Sequence, residues 1–353
     1  VSAPLTIALG PPAHGVTRFA VECAHAAGTE VLEVPDVAAL QDTLAARPAV
    51  PVHLHVTDAL FAATPDRMIP GQAAPGRTIP NGAAETIEAL ARDRPVAVTL
   101  HDVPQPAEGA ERCRRRTRAY RRIAAVAGLV VVSSEHERHL CADAGIAVDV
   151  VIPLPVPDLG GAGARRTGGS TPDERSVGVF GFLHPGKAVD VVAQAVAELA
   201  AGGDDAVTLR LLGQPADGHE DYVRAAVDTV RSAGGRAELT GRIDDDELAH
   251  VLGEVTVPVA LFRNVSASGS LNTWAAAGRR PLVSDSEYTR EMNQRRPGSL
   301  LITGVPRSAG AADLAGDLRR LLDDPAPTRV EPPEPGLAEL GRAYLRAWAG
   351  WSK

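Results

Sequence analysis

The feature that most constrains this chain is an alternation, sustained from end to end, of short β-branched apolar runs with segments of helical period. Strands that are apolar on both faces and separated by helices build parallel sheets with helices packed on either side. The alternation occurs twice. In the first series, strands are predicted at Leu5–Leu9, Val50–His55, Val96–His101, Leu129–Ser133 and Val148–Pro153. Helices are predicted over Val16–Ala27, Val37–Arg47, Glu108–Val126 and Glu135–Ala144. The second series has strands at Val177–Phe182, Thr208–Leu212, Ala237–Thr240, Thr256–Leu261, Pro281–Ser284 and Leu300–Thr303, each followed by a helix. Between the series, Asp158–Pro172 carries five glycines in fifteen residues and no periodicity, the composition of a flexible linker.

The expected architecture is therefore α/β, with two Rossmann-like parallel-sheet domains at 1–157 and 176–335 and a glycine-rich linker over 158–175. A chain of 353 residues suits two cores better than one. A final segment, 336–353, places Leu337, Leu340, Tyr344 and Trp348 on one face and should pack as an amphipathic helix beyond the second sheet. Thr64–Gly82 has prolines at 65, 70, 75 and 80 and glycines at 71, 76 and 82, so it reads as a long loop. Hydrophobic residues at 44% and charged residues at 23% fit a soluble globular protein. No apolar run reaches the ~18 residues of a membrane span, and the start lacks a basic leader region, so the expectation is cytoplasmic.

Charge and cysteine content narrow the function classes. A net charge of -8 argues against a general nucleic-acid binder, which needs a basic surface to neutralise phosphates. Cys23, Cys113 and Cys141 are odd in number and widely spaced, which argues against a disulfide framework and a thiolate zinc site. Of the 36 cations only Lys187 and Lys353 are lysines, which makes the one internal lysine conspicuous.

That lysine lies in GFLHPGKA, 181–188, where a predicted strand ends and a helix begins. The spacing approaches a P-loop, but Ala188 cannot ligate magnesium and Pro185 removes a backbone donor, so an NTPase is disfavoured. What remains is an anion site, since free N–H groups, the helix dipole and a cation converge there. Small hydroxyl residues in SASGSLNTWAAAG, 266–278, repeat the logic: Ser268 or Ser270 can cap the helix and Gly269 leaves N–H groups accessible. GPPAHGV, 10–16, follows the first strand but lacks the dinucleotide fingerprint, which disfavours a dehydrogenase. His53 and His55, and His101 followed by Asp102, end two predicted strands, where open α/β sheets bind ligands; His101 is the strongest candidate. Asp244, Asp245 and Asp246 precede a helix and read as a cap rather than a metal site. Seven arginines within Arg112–Arg122 read first as a solvated helix face, with an acidic acceptor or an anionic membrane surface as the sharper alternative.

Taken in order, GPPAHGV, VTLHD, VVVSSEHERHL, VIPLPV, VGVFGFLHPGK, LLG, LTGRIDDDEL and AAAGRRPLVSD resemble the GT-B glycosyltransferases, specifically the retaining family-4 type. The resemblance implies two domains facing across a cleft, a C-terminal helix returning toward the first domain, and transfer of a sugar from a nucleotide-diphosphate sugar to an acceptor hydroxyl without a metal. It also implies roles for residues. His14 and Gly15 would face the donor diphosphate, Lys187 would neutralise it, and His101 with Asp102 would be catalytic near the reacting centre. Arg242, Arg263, Ser268, Gly269, Ser270 and Asn272 complete the implied donor site. The family places an arginine just after the first strand of the second domain, where this chain has Phe182 and Leu183. It also places two glutamates with seven residues between them before the AxxG segment, where this chain runs from Val265 to Thr273 without one. The competing readings are a degenerate GT-B-like protein that binds nucleotide-sugars without turnover, and a GT-B enzyme of other chemistry such as a sugar-nucleotide epimerase or a pyridoxal-dependent phosphorylase.

Overall fold

The computed structural model describes residues 3–61, 82–160, 175–204, 206–303 and 311–351. Two units divide the chain: residues 1–154 with 337–353, and residues 155–336. Most of the predicted loop Thr64–Gly82 and of the predicted linker 158–175 lies outside the described residues.

The first unit is built on a parallel sheet of β1 (Leu5–Leu9), β2 (Val31–Val34), β3 (Val52–Val56), β4 (Val96–Leu100), β5 (Leu129–Val132) and β6 (Val150–Val151), in the order β2-β1-β3-β4-β5-β6. Its helices are α1 (Gly15–Ala27), α2 (Val37–Ala45), α3 (Asp58–Phe61), α4 (Ala83–Ala91), α5 (Ala110–Val126) and α6 (Glu135–Asp143). The central strands β1, β3, β4 and β5 are buried at every position, which is why their sequence reads as unbroken apolar runs. Asp36 and Ser134 start α2 and α6 by accepting from the N–H groups of Ala39 and Glu137, both at 2.9 Å. Strand β2 was not among the predicted strands. It is an edge strand of four residues with only Val34 buried, too short and too exposed to show a period.

The second unit repeats the plan with β7 (Ser176–Phe180), β8 (Thr208–Leu212), β9 (Arg236–Leu239), β10 (Val257–Ala260), β11 (Leu282–Ser284) and β12 (Leu301–Thr303), in the order β12-β11-β10-β7-β8-β9. Its helices are α7 (Val189–Ala201), α8 (Glu220–Ser232), α9 (Leu248–Gly253), α10 (Gly269–Ala276), α11 (Glu287–Arg295) and α12 (Ala311–Asp323). Valines of β7 and β10, leucines of β8 and the inner faces of α7, α8 and α12 form one continuous apolar core. The chain reverses its direction of winding between β7 and β10, so the loops leaving those two neighbours lie side by side.

The last helix, α13 (Leu337–Trp351), buries Leu340, Tyr344, Ala347 and Trp348 as its amphipathic period predicts. It does not stay with the second sheet. It belongs to the first unit and packs on α1, where Phe19, Cys23 and Ala27 meet its apolar face. The return to the first domain implied by the family resemblance is thus observed. Gly341 makes the crossing close, because a Cβ there would collide with the carbonyl of Ala26.

Candidate functional site

In the second unit the loops after β7 and β10 bring most of the expected donor residues together. The β7 loop turns through a 3-10 segment, Pro185–Lys187, before α7 starts, so Lys187 stands ahead of the helix rather than on its first turn. Ala188 joins the two in the left-handed region at φ 50°, a strained setting for a residue with a Cβ. The chain folds the lysine back over its own strand: Nζ donates to the Phe180 carbonyl at 3.1 Å and to the Ser270 hydroxyl at 3.4 Å, and lies 5.5 Å from the centre of the Phe262 ring. Burial pushes its pKa down to about 8. Ser268 holds the N-cap position of α10 without a side-chain cap bond, and its hydroxyl pairs instead with that of Ser270 at 2.9 Å. Gly269 opens α10, and nothing lies within 4 Å of the place a Cβ would occupy. No acidic residue lies in the first turn of α10, so a lysine, two hydroxyls and a helix N-terminus form a site suited to an anion.

Three other expected donor residues stand differently. Arg263 is committed within the protein, donating from Nη1 to the Pro185 carbonyl at 2.7 Å and from Nη2 to Asp190 at 2.6 Å. Tyr222 donates to the same carboxylate at 2.7 Å, so Arg263 fastens the Lys187 loop to α7 and α8. Asn272 is 1% exposed, and its Oδ1 accepts from Arg296 at 2.8 Å. Arg242 is exposed in the turn after β9, the far edge of the sheet, with no hydrogen bond or ion pair to the Lys187 group among the described residues. The three aspartates 244 to 246 form the turn before α9, whose cap position is Glu247 without a side-chain cap bond. Among the described residues no cluster of histidine, cysteine or carboxylate side chains is arranged to hold a metal.

In the first unit, His14 caps α1, its Nδ1 accepting from the Val16 N–H at 3.2 Å, and Gly15 is the first helical residue. His101 leaves the end of β4, and Asp102 follows at φ 51°. Three groups fix that turn. Thr57 donates to the Asp102 carboxylate at 3.0 Å, Tyr120 donates to the His101 carbonyl at 2.7 Å, and Arg116 donates to the Asp102 carbonyl at 2.5 Å. Burial holds His101 down to about 4; Asp102 pulls the other way and His14 adds to the depression. His14 is lowered by burial and raised in part by Asp102, so the three residues share one electrostatic neighbourhood.

The other two candidate histidines and an arginine of the basic run complete this group. His53 and His55 lie inside β3 rather than at its end, fully covered by α1 and α13. His55 Nδ1 is 3.1 Å from His101 Nε2, and the two rings are stacked at 5.3 Å. His53 Nε2 bonds Thr99 Oγ1 at 2.9 Å, and Thr99 in turn meets the Tyr344 hydroxyl at 3.0 Å. Arg116, read from sequence as part of a solvated arginine run, is 8% exposed and paired with Asp58 and Glu108 at 2.6 Å each. The run is therefore mixed. Arg116 is its one buried arginine; the other six are exposed, with Arg122 bridging Glu85 and Glu88, Arg121 bonding the Ala144 carbonyl and Arg112 pairing with Glu108 at 3.6 Å. Among the described residues no helix is long and apolar enough to cross a membrane.

No protein-family model and no curated protein matches the sequence. Solved structures do match over nearly the whole chain. HepE of Anabaena, in complex with UDP and glucose, is 15% identical with a TM-score of 0.66, covering 99% of this chain and 95% of its own. Sucrose-phosphate synthase of Thermosynechococcus elongatus is 16% identical at 0.65, covering 99% and 96%. The UDP-forming alpha,alpha-trehalose-phosphate synthase of Burkholderia vietnamiensis is 14% identical at 0.56, covering 96% and 78%. With two six-stranded parallel sheets, a C-terminal helix that returns to α1, and this likeness along nearly its full length, the chain has the GT-B glycosyltransferase fold.

Proposed function

We propose that the protein is a glycosyltransferase that moves a sugar from a nucleotide-diphosphate sugar to an acceptor hydroxyl. The observation that carries this reading is the internal lysine, held beside the α10 N-terminus where the winding of the second sheet reverses. When the bond from the sugar carbon to the phosphate oxygen breaks, its electron pair stays on the diphosphate. Lys187, the Ser268 and Ser270 hydroxyls and the first N–H groups of α10 are fixed donors for that charge, and preorganised donors stabilise the transition state without reorganising. His101 and Asp102 serve the sugar or the acceptor hydroxyl, with His101 as a neutral hydrogen-bonding group because burial keeps it uncharged at neutral pH. The neighbour HepE was solved with UDP-glucose, which makes a uridine donor the first to test.

Thermal shift across UDP-, GDP-, ADP- and TDP-sugars tests the reading. A bound donor at a hundred times its Kd adds about 2.7 kcal/mol, or roughly 5 to 11 °C for a domain of this size. A screen in which no nucleotide diphosphate or its sugar raises the melting temperature refutes it. A binding protein without turnover is the second reading. It is favoured by Val265 and Thr273 standing where the family has glutamates, and by the engagement of the nearby Asn272 with Arg296. A protein that binds a donor but neither hydrolyses nor transfers it decides for that alternative.

A further inference from the structure

We infer that His55 is a positioning residue that holds His101 as its Nδ1–H tautomer, a neutral hydrogen-bond donor. The inference deepens the proposed role of His101 and rests on that reading for its functional meaning, though not for its geometry. His55 Nδ1 and His101 Nε2 lie 3.1 Å apart, so one of them donates and the other accepts. The remaining nitrogen of His55, Nε2, is buried and has no hydrogen-bond partner among the described residues. If His101 Nε2 were the donor, the single proton of a neutral His55 would sit on that Nε2 and become a buried N–H with no acceptor. Orphaned buried N–H groups are the rarest unsatisfied groups in folded proteins, whereas an unused lone pair is better tolerated. The proton between the rings therefore belongs to His55 Nδ1. His101 Nε2 accepts it, and the proton of His101 sits on Nδ1.

The packing keeps this pair in place. Phe19 of α1 stands perpendicular to both rings, at 5.3 Å from His55 and 5.7 Å from His101, and parallel pairing sets His55 opposite Thr99 two residues before His101. Around the pair stand His53 of β3, His14 at the α1 cap, Asp102 beyond β4, Tyr120 and Arg116 of α5, and Tyr344 of α13. Of these only Asp102 favours protonation of His101, and burial outweighs it. His101 Nδ1 has no hydrogen-bond partner among the described residues, so it is the nitrogen left to meet a ligand. An Nδ1–H there selects an acceptor atom, such as a sugar hydroxyl or phosphate oxygen. It cannot take a proton from an attacking hydroxyl through that nitrogen.

Imidazole nitrogen NMR on the full-length protein, without ligand, reads the tautomer directly, with His101→Gln identifying the signal. The expected wild-type spectrum shows neutral His101 protonated on Nδ1 from pH 6 to 8, the minor form for free imidazole side chains. His55→Phe should return His101 to mainly Nε2–H and lower kcat about tenfold or more while leaving the donor KM within about twofold. Wild-type His101 protonated on Nε2, or carrying both protons at pH 7, overturns the inference even if His55→Phe does not fold. So does an Nδ1–H signal that persists unchanged in a folded His55→Phe. Failure to bind any nucleotide diphosphate would instead refute the proposed function and leave the tautomer result standing.

Discussion

Replacing Lys187 by methionine should make the protein more stable at neutral pH and weaken its hold on a nucleotide diphosphate. Burial lowers the lysine pKa from 10.5 to about 8. At ~1.4 kcal/mol for each tenfold change in protonation, keeping it charged in the folded state costs at most roughly 3 kcal/mol, less what partial exposure screens. Methionine fills the same space without that cost, but it forfeits the bonds to the Phe180 carbonyl and Ser270 hydroxyl, at about 0.5 to 1.5 kcal/mol each. The net gain is about 1 kcal/mol, or some 2 to 4 °C in melting temperature for a domain of this size. Its pH dependence has a definite sign. The cost is complete below the folded pKa of about 8, where the lysine is charged in both states, and vanishes as pH rises to 10.5. The stability advantage of methionine should therefore fade across that window. Binding moves the opposite way, since loss of one charge-assisted hydrogen bond weakens nucleotide-diphosphate affinity by about 1.5 to 3 kcal/mol. Scanning calorimetry and titration calorimetry on the same preparation measure both. A variant that melts lower than wild type at pH 7 and binds with unchanged affinity would refute the argument.

Four further outcomes are expected. His101→Ala should lower kcat by roughly ten- to a thousandfold with a smaller change in donor affinity; a loss of melting temperature with full turnover of the folded protein would make the imidazole purely structural. Asn272→Ala strands Arg296 and should cost about 1 to 3 kcal/mol of stability in denaturant titration while nucleotide affinity stays near wild type; weaker binding at unchanged stability would restore it as a donor contact. Arg116→Met leaves Asp58 without its cation and the nearly buried Glu108 with only Arg112 at 3.6 Å, and releases the Asp102 carbonyl, so unfolding should be easier by about 3 kcal/mol; a change below about 1 kcal/mol would show the cluster to be incidental. His53 and His101, held neutral to about pH 3 and 4, bind fewer protons folded than unfolded, so stability is complete above pH 6.5 and falls toward pH 4; His53→Phe should flatten that slope in melts across the range.

Much of the candidate site was legible because it lies where strands end. Gly-rich and hydroxyl-rich segments after apolar runs mark the loops of a parallel sheet, and a lone lysine in one of them stands out by composition alone. What the side chains do there was not legible. Arg263 has the residue type of a phosphate ligand, yet its guanidinium is bound to Pro185 and Asp190. Arg116 sits in a run that periodicity could not divide into inner and outer faces, because six other arginines surround it. His55 read as a candidate at a strand end, whereas it lies inside β3 and its partner follows the next strand, 46 residues along.

By itself the sequence determined the repeated strand and helix order, because burial on both faces demands continuous apolar strands and helices that cover them. It also determined which loops follow the strands of each sheet, though it set His53 and His55 at a strand end where the structure places them inside β3. Only the tertiary structure decided that α13 leaves the second sheet to cover α1 and His53, since an amphipathic face records that it is buried but not against what. The pairing of His55 with His101 was decided there too. It depends on the register of β3 against β4, which brings two imidazoles to one face of the sheet and leaves the buried His55 Nε2 without a hydrogen-bond partner among the described residues.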